Sequence, residues 1–195
     1  MERARAILAA ARELFARHGY SGLSMRGVAA RLGVTLGTVQ HYYKTKDELL
    51  EAVLLQMLHE YQVDVDRIAA HMREATREDR FRETMRYFIG SVVLSPLGLG
   101  AFVELSALAM RNELAAEIME RIFVLARKSI RRSIRGMVAG LSERELSIRA
   151  ASIVAQLMGL TFFTPRVTRP RLPELEALEE EAIRTMLAIA TREKS

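Results

Sequence analysis

Fourteen consecutive residues, Gly33-Val34-Thr35-Leu36-Gly37-Thr38-Val39-Gln40-His41-Tyr42-Tyr43-Lys44-Thr45-Lys46, hold the side chains best suited to contact a polyanion. Gly33 suits a tight turn, Thr35 suits the cap of a short helix, and Thr45 suits the cap of the next one. A capped, polar-faced helix after a glycine turn is how a helix-turn-helix offers side chains to the DNA major groove. Three kinds of group are needed there. The start of the reading helix must be small or polar, and Thr35, Leu36, Gly37 and Thr38 provide this. Gly37 removes a side chain, and Thr38 can donate, accept or offer a methyl to thymine. Phosphate ligands must surround that helix: Gln40, His41 and Tyr42 lie further along it. Lys46 shares the next helix start with the Thr45 cap, where free N–H groups also favour a phosphate. Finally, a preceding helix must position the reader. Ser24 caps it, and Arg26 in its first turn can reach a base edge or the backbone.

The elements that would hold these groups are all helical. Apolar residues recur at i, i+3, i+4 and i+7 along almost the whole chain, and no alternating strand run is present. The spacing predicts a helix from about Arg3 to His18, a second from Ser24 to Leu32, a third from Thr35 to about Tyr42, and a long fourth opened by the capping box Thr45-Lys46-Asp47-Glu48. The expected core of this N-terminal unit is Ile7, Leu14, Phe15, Val28, Leu32, Val34, Val39, Tyr43 and Leu49. A fifth helix follows the polar stretch Arg73 to Arg80, and a sixth runs from Ala101 to about Met110. A seventh runs from about Asn112 to Ala139, an eighth is opened by Ser142, and a ninth follows Pro173. The fold class read from this is all-α, about nine helices, divided as residues 1–48 and 49–195.

Composition narrows the function. Of the formal net charge of +5, residues 1–50 hold +4, from eight Arg and Lys against four Asp and Glu. A basic excess on the segment with the turn motif fits nucleic acid. The absence of cysteine excludes disulfides, thiolate zinc sites and a thiol nucleophile, and it suits a reducing cytoplasm. Four histidines form no metal motif, and no cofactor or nucleophile–base pattern is present, so no enzyme is expected. The apolar run Ile89 to Met110 is long enough to span a bilayer, but Ser95-Pro96-Leu97-Gly98-Leu99-Gly100 interrupts it. Two buried helices are expected instead, and no membrane span.

The N-terminal segment closely resembles the TetR family of bacterial transcriptional regulators. The resemblance begins at Ile7-Leu8-Ala9-Ala10-Ala11-Arg12-Glu13-Leu14-Phe15. It continues through His18-Gly19-Tyr20, Leu23 to Ala29, Leu32 to Thr35, Gly37-Thr38 and Tyr42-Tyr43, and ends at Lys44 to Leu50. It implies an all-helical homodimer with an N-terminal helix-turn-helix and a larger effector domain. By position it assigns DNA contact to Arg26, Leu36, Thr38, Gln40, His41, Tyr42 and Lys46. The family commonly has tyrosine where this chain has Gln40, so a phosphate contact and a bidentate contact to adenine are both open at that position.

The same resemblance implies a small-molecule pocket and pairing of the last two long helices across a two-fold axis. Candidate pocket walls are Met57, Tyr61, Met85, Phe88, Phe102, Leu105, Met110, Met119 and Phe123; the alternative for each is an ordinary core position. Glu104 and Gln156 interrupt apolar faces, where each either orients a ligand group or faces solvent. For the homodimer, the candidate residues are Ala151, Val154, Leu157, Met158 and Phe162 on the eighth helix and Leu175, Leu178, Ala182 and Met186 on the ninth. An apolar arc that broad on a terminal helix calls for partners on more than one side. The function expected is a ligand-responsive regulator of double-stranded palindromic DNA, a repressor released by a hydrophobic or amphipathic effector. A ligand-dependent activator or a co-repressor-type regulator is the alternative.

Overall fold

The structure is a computed structural model, and it describes residues 2–72, 74–90, 95–162 and 175–193. Nine helices make up the described residues: α1 Glu2–Gly22, α2 Met25–Leu32, α3 Leu36–Tyr42, α4 Lys46–His71, α5 Arg77–Phe88, α6 Pro96–Ala109, α7 Glu113–Ile134, α8 Glu143–Phe162 and α9 Leu175–Thr191. No strand occurs among them, and none of these helices is long and apolar enough to cross a membrane. The expected proline-rich loop from Pro165 to Pro173 lies outside the described residues.

Ser24 and Thr35 cap helices as expected from the chain, and Thr76 is a further cap, not among those expected. The side-chain oxygens of Ser24, Thr35 and Thr76 accept backbone N–H groups of Gly27, Thr38 and Asp79, which would otherwise be unpaired at a helix start. Gly19 takes φ 67°, ψ −173°, so the first helix breaks after His18 as expected, and a further turn continues to Gly22. Other boundaries differ from expectation: α5 starts at Arg77, ahead of Arg80, α6 starts at Pro96 rather than Ala101, and α7 ends at Ile134 rather than Ala139. Pro96 does not end a helix but opens α6, so Gly98 and Gly100 lie inside that helix. A proline at the first helical position lacks only an N–H that has no intrahelical partner anyway.

The chain forms two compact units, neither of them one continuous segment. The first comprises Met1–Gln62 and Pro96–Arg121; the second comprises Val63–Ser95 and Ile122–Ser195. In the first, Ile7, Phe15, Leu23, Val28, Val39 and Leu49 are wholly buried, while Leu14, Leu32, Val34 and Tyr43 are only half-buried. Here α6 packs on α1 at very close range. A Cβ added to Gly100 would overlap the carbonyl oxygen of Ala16, and one added to Gly19 would overlap the Glu104 carboxylate. Glu104 is therefore seated against the end of α1 rather than turned to open solvent.

In the second unit, Phe81, Met85, Ile153, Leu157, Ile183 and Met186 form much of the core, and α9 packs on both α5 and α8. Arg149 is buried, and its Nη1 donates to the Ala190 carbonyl at 2.9 Å, satisfying an oxygen at the end of α9. Arg86 reaches Glu180 at 2.8 Å across α5 and α9.

Candidate nucleic-acid interface

The reading helix α3 is placed by the turn before it. Gly33 sits at φ 64°, ψ 33°, a left-handed conformation that costs a Cβ-bearing residue energy. Its N–H bonds to Ala30 O, and the Val34 N–H bonds to Ala29 O at 3.0 Å, closing the end of α2. The chain then extends through Thr35, which caps α3. Thr35 Oγ1 accepts the Thr38 N–H at 3.2 Å and lies 3.0 Å from Thr38 Oγ1. Both hydroxyls are thereby oriented at the start of the helix.

One face of α3 is spent on the core, because Val39 is wholly buried. The remaining residues divide as the chemistry requires. Gly37, Gln40, His41 and Tyr42 are exposed, and Leu36 and Thr38 are half-buried. The His41 and Tyr42 rings meet edge to face at 5.3 Å. At Gly37 an added Cβ would find only Thr35 Oγ1, at 3.8 Å. The backbone is thus bare toward solvent at the end of the helix where base edges would lie.

The cations of this unit differ in what they pair with. Arg12 is paired with Glu60, and Arg17 and Arg31 both reach Glu13, at 3.1 and 2.5 Å. Those charges are largely satisfied inside the chain. Arg26 is exposed on α2 with no hydrogen-bond or ion-pair partner among the described residues. Lys46, the first residue of α4, holds its Nζ 3.7 Å from the centre of the Tyr20 ring. That cation–π contact restrains a side chain that would otherwise sweep freely. Desolvation lowers the Lys46 pKa, and the Asp47 carboxylate opposes it. Tyr20 in turn donates its hydroxyl to Asp47 Oδ1 at 2.5 Å, and this bond raises the phenol's pKa. Tyr20 therefore clamps the end of α1 to the start of α4. The resemblance includes it at His18-Gly19-Tyr20 but assigns it no role.

The capping box at Thr45 forms with a shift of one residue. Thr45 Oγ1 accepts the Glu48 N–H at 3.1 Å, as expected, but Glu48 reaches back to the Lys44 N–H at 2.7 Å rather than to that of Thr45. The start of α4 is thereby fixed beside α3.

The regulatory residues expected from the chain are distributed as follows. Met57, Tyr61, Phe102, Leu105, Met110 and Met119 fall in the first unit, and Met85, Phe88 and Phe123 in the second. Met85, Phe88, Leu105 and Met119 are buried, whereas Met57, Tyr61, Phe102 and Phe123 are half-buried. Met110 departs from the expectation of a wall residue, being 87 % exposed. It lies one residue past the end of α6, beyond the face that buries Leu105 and Leu108.

The interface expectation needs a larger correction. Val154, Leu157 and Met186 are 5 %, 2 % and 0 % exposed within the single chain, so they have no surface to give a second copy. They belong to the core that α8 and α9 help form. Ala151 is exposed, and Met158, Leu178 and Ala182 are half-buried; the side chains of Phe162 and Leu175 lie outside the described residues. The exposed face of α8 instead carries Ile148, Ser152, Ala155 and Gly159.

Comparison with known proteins agrees with this geometry. Residues 7–53 match the family model described as bacterial regulatory proteins, tetR family. The HTH-type transcriptional regulator UidR of Escherichia coli K12 is 31 % identical over 115 residues, which is 58 % of this chain and 55 % of that protein. The HTH-type transcriptional repressor Rv3405c of Mycobacterium tuberculosis is 49 % identical over 53 residues, 27 % of this chain and 28 % of the relative. The match thus spans little more than half the length of the first relative and about a quarter of the second. A crystal structure of a transcriptional regulator from Rhodococcus sp. Rha1 superposes with a TM-score of 0.77 at 22 % identity, covering 98 % of this chain and 99 % of the other. That likeness extends the fold across the whole chain.

Proposed function

We propose that this chain, as a member of the TetR family of bacterial regulatory proteins, a helix-turn-helix class of transcriptional regulator, is a repressor that binds a palindromic operator as a homodimer and is released by a small hydrophobic or amphipathic effector. The observation that carries DNA binding is the exposed face of α3. Gly37, Gln40, His41 and Tyr42 stand there, with unpaired Arg26 and the ring-held Lys46 beside them. In this reading Arg26 and Lys46 serve as cations for the backbone, and Thr38 and Gln40 read base edges. Residues 1–48 act as the reading head and residues 49–195 as the effector-binding and dimerisation part.

The homodimer reading now rests on α8. Ile148, Ser152, Ala155 and Gly159 recur at helical spacing on its exposed side, and three of the four are small enough to let two helices approach closely. Binding to successive major grooves requires the two reading helices of such a dimer to stand about 34–36 Å apart. The effector's route of action is supported by the contact of α6 with α1. Gly100 leaves no slack against Ala16, so a ligand that shifts α6 also displaces the helix that carries the reading head. Release follows from the ligand's preference for the displaced state.

The test is fluorescence anisotropy on duplexes from the protein's own upstream region, as a function of salt. Lys46→Ala and Arg26→Ala should each weaken binding and lower the salt slope by about 1. Unchanged affinity and slope in both would remove the phosphate roles.

A further inference from the structure

Within the second unit a cleft of about 180 Å³ is lined by Asp66 of α4, Arg77, Arg80 and Thr84 of α5, and Ser129 and Arg132 of α7, among others. Its volume is below the roughly 300–1,000 Å³ of pockets for drug-sized ligands, so it suits a small molecule. Three guanidinium groups against one carboxylate leave its lining at +2. Arg80 is oriented by donating to the carbonyls of Met72 and Ala75 at 3.1 and 2.9 Å. Arg132 stands 3.7 Å from Asp66 with both side chains more than half exposed, a loose pairing. Arg77 has no hydrogen-bond or ion-pair partner among the described residues, and its guanidinium lies beside Gly136, the residue at φ 79° beyond the end of α7.

A second, independent feature is Ser129. The residue is 8 % exposed, yet its hydroxyl makes no hydrogen bond within the described residues. The hydroxyl keeps accessible surface on the cleft, so a ligand oxygen there can accept a hydrogen bond from it in place of water. Thr84, equally buried, already donates to the Arg80 carbonyl at 2.8 Å.

We propose that this cleft binds a small oxyanion, a molecule bearing a carboxylate or phosphate group. Arg77 and Arg132 hold the charge and Ser129 donates to it. The planar guanidinium fork matches both anion types. The site uses none of the residues of the DNA-facing surface and none of the apolar wall candidates.

Calorimetric titration of the full-length protein with inorganic phosphate and, separately, with malate tests it, at ionic strength held constant with chloride. Saturable binding of one anion per chain is expected for at least one probe, weakened about tenfold by Arg77→Gln and by Arg132→Gln, and weakened also by Ser129→Ala. The tighter probe identifies which oxyanion the site prefers. Absence of saturation with both probes, or equal affinity in all variants, would overturn the proposal. Arg77→Gln is decisive if Arg132→Gln alters the fold through Asp66, because Arg77 pairs with nothing whose loss would unsettle the chain; its ligand-free melting should match that of the parent.

Discussion

Replacing Gly37 with alanine separates folding from DNA reading. The position is exposed, and the nearest atom to an added Cβ is Thr35 Oγ1 at 3.8 Å, an ordinary contact. Its φ is not positive, so no backbone strain follows. Alanine in a helix is favoured over glycine by about 0.5–1 kcal/mol. For a chain of this size, 1 kcal/mol moves the melting temperature by about 2–4 °C. Gly37→Ala should therefore melt at the parental temperature or up to about 4 °C higher. Binding should respond in the opposite direction. A methyl carbon extends about 1.5 Å from the backbone. Holding α3 off the groove by that much takes a base-edge hydrogen bond from about 2.9 Å well past the 3.5 Å at which it is lost. One such contact is worth about 1–3 kcal/mol, so affinity for the operator should fall roughly 5- to 150-fold. The salt slope should stay unchanged, because no phosphate ligand is removed. Thermal melts together with anisotropy at several salt concentrations measure all three quantities. Parental affinity in a stable Gly37→Ala protein would refute the close approach of the backbone to the bases, and a lowered melting temperature would refute the claim of free space.

Tyr20→Ala should weaken DNA binding by about 2- to 5-fold through loss of the cation–π restraint on Lys46, while Tyr20→Phe keeps the ring and should bind like the parent in the same anisotropy assay. Tyr20 has a folded-state pKa above its unfolded value, so its contribution is complete below about pH 10 and disappears as pH rises through the folded value; Tyr20→Phe should flatten that alkaline loss in melts taken from pH 9 to 12. Gly100→Ala forces α6 off Ala16 and should cost about 1–3 kcal/mol by overpacking, seen as a lower midpoint in urea. Ile148→Glu, at a residue 54 % exposed, should leave the protomer's helicity by circular dichroism intact but shift sedimentation from dimer to monomer; an unaltered dimer would move the interface off this face of α8.

The helix-turn-helix was legible because its determinants are local. Ser24, Gly33 and Thr35 each act on backbone groups within five residues, so their identity and spacing carried the turn and both caps. The basic excess was legible only as a sum. Which cations remain for DNA depended on Glu13 and Glu60, which take up Arg12, Arg17 and Arg31. The roles of Tyr20 and Leu23, both inside the stretch that resembles the family, were not legible for a related reason. Tyr20 acts on Lys46 and Asp47, 26 and 27 residues away. Leu23, wholly buried, sits between helices where no periodicity marks it.

The misreadings have physical causes as well. The break between two helices at Ser95-Pro96 is present, but α6 opens at Pro96 rather than Ala101, because a proline at the first helical position has no intrahelical hydrogen bond to lose. The apolar stripes on α8 and α9 were real, yet periodicity reports only that a face is covered, not by what. Burial of Val154, Leu157 and Met186 inside one chain moved the candidate interface to Ile148, Ser152, Ala155 and Gly159.

The amino-acid sequence by itself determined the helical class, the caps, the left-handed turn at Gly33 and the polar face of α3, since each follows from interactions within one or two helical turns. Only the tertiary structure decided which arginines stay unpaired, that Tyr20 holds Lys46, that α6 rests on α1 through Gly100, and that arginines of α5 and α7 share a cleft. Those are contacts between residues far apart in the chain, and their partners are chosen by packing, which no local spacing encodes.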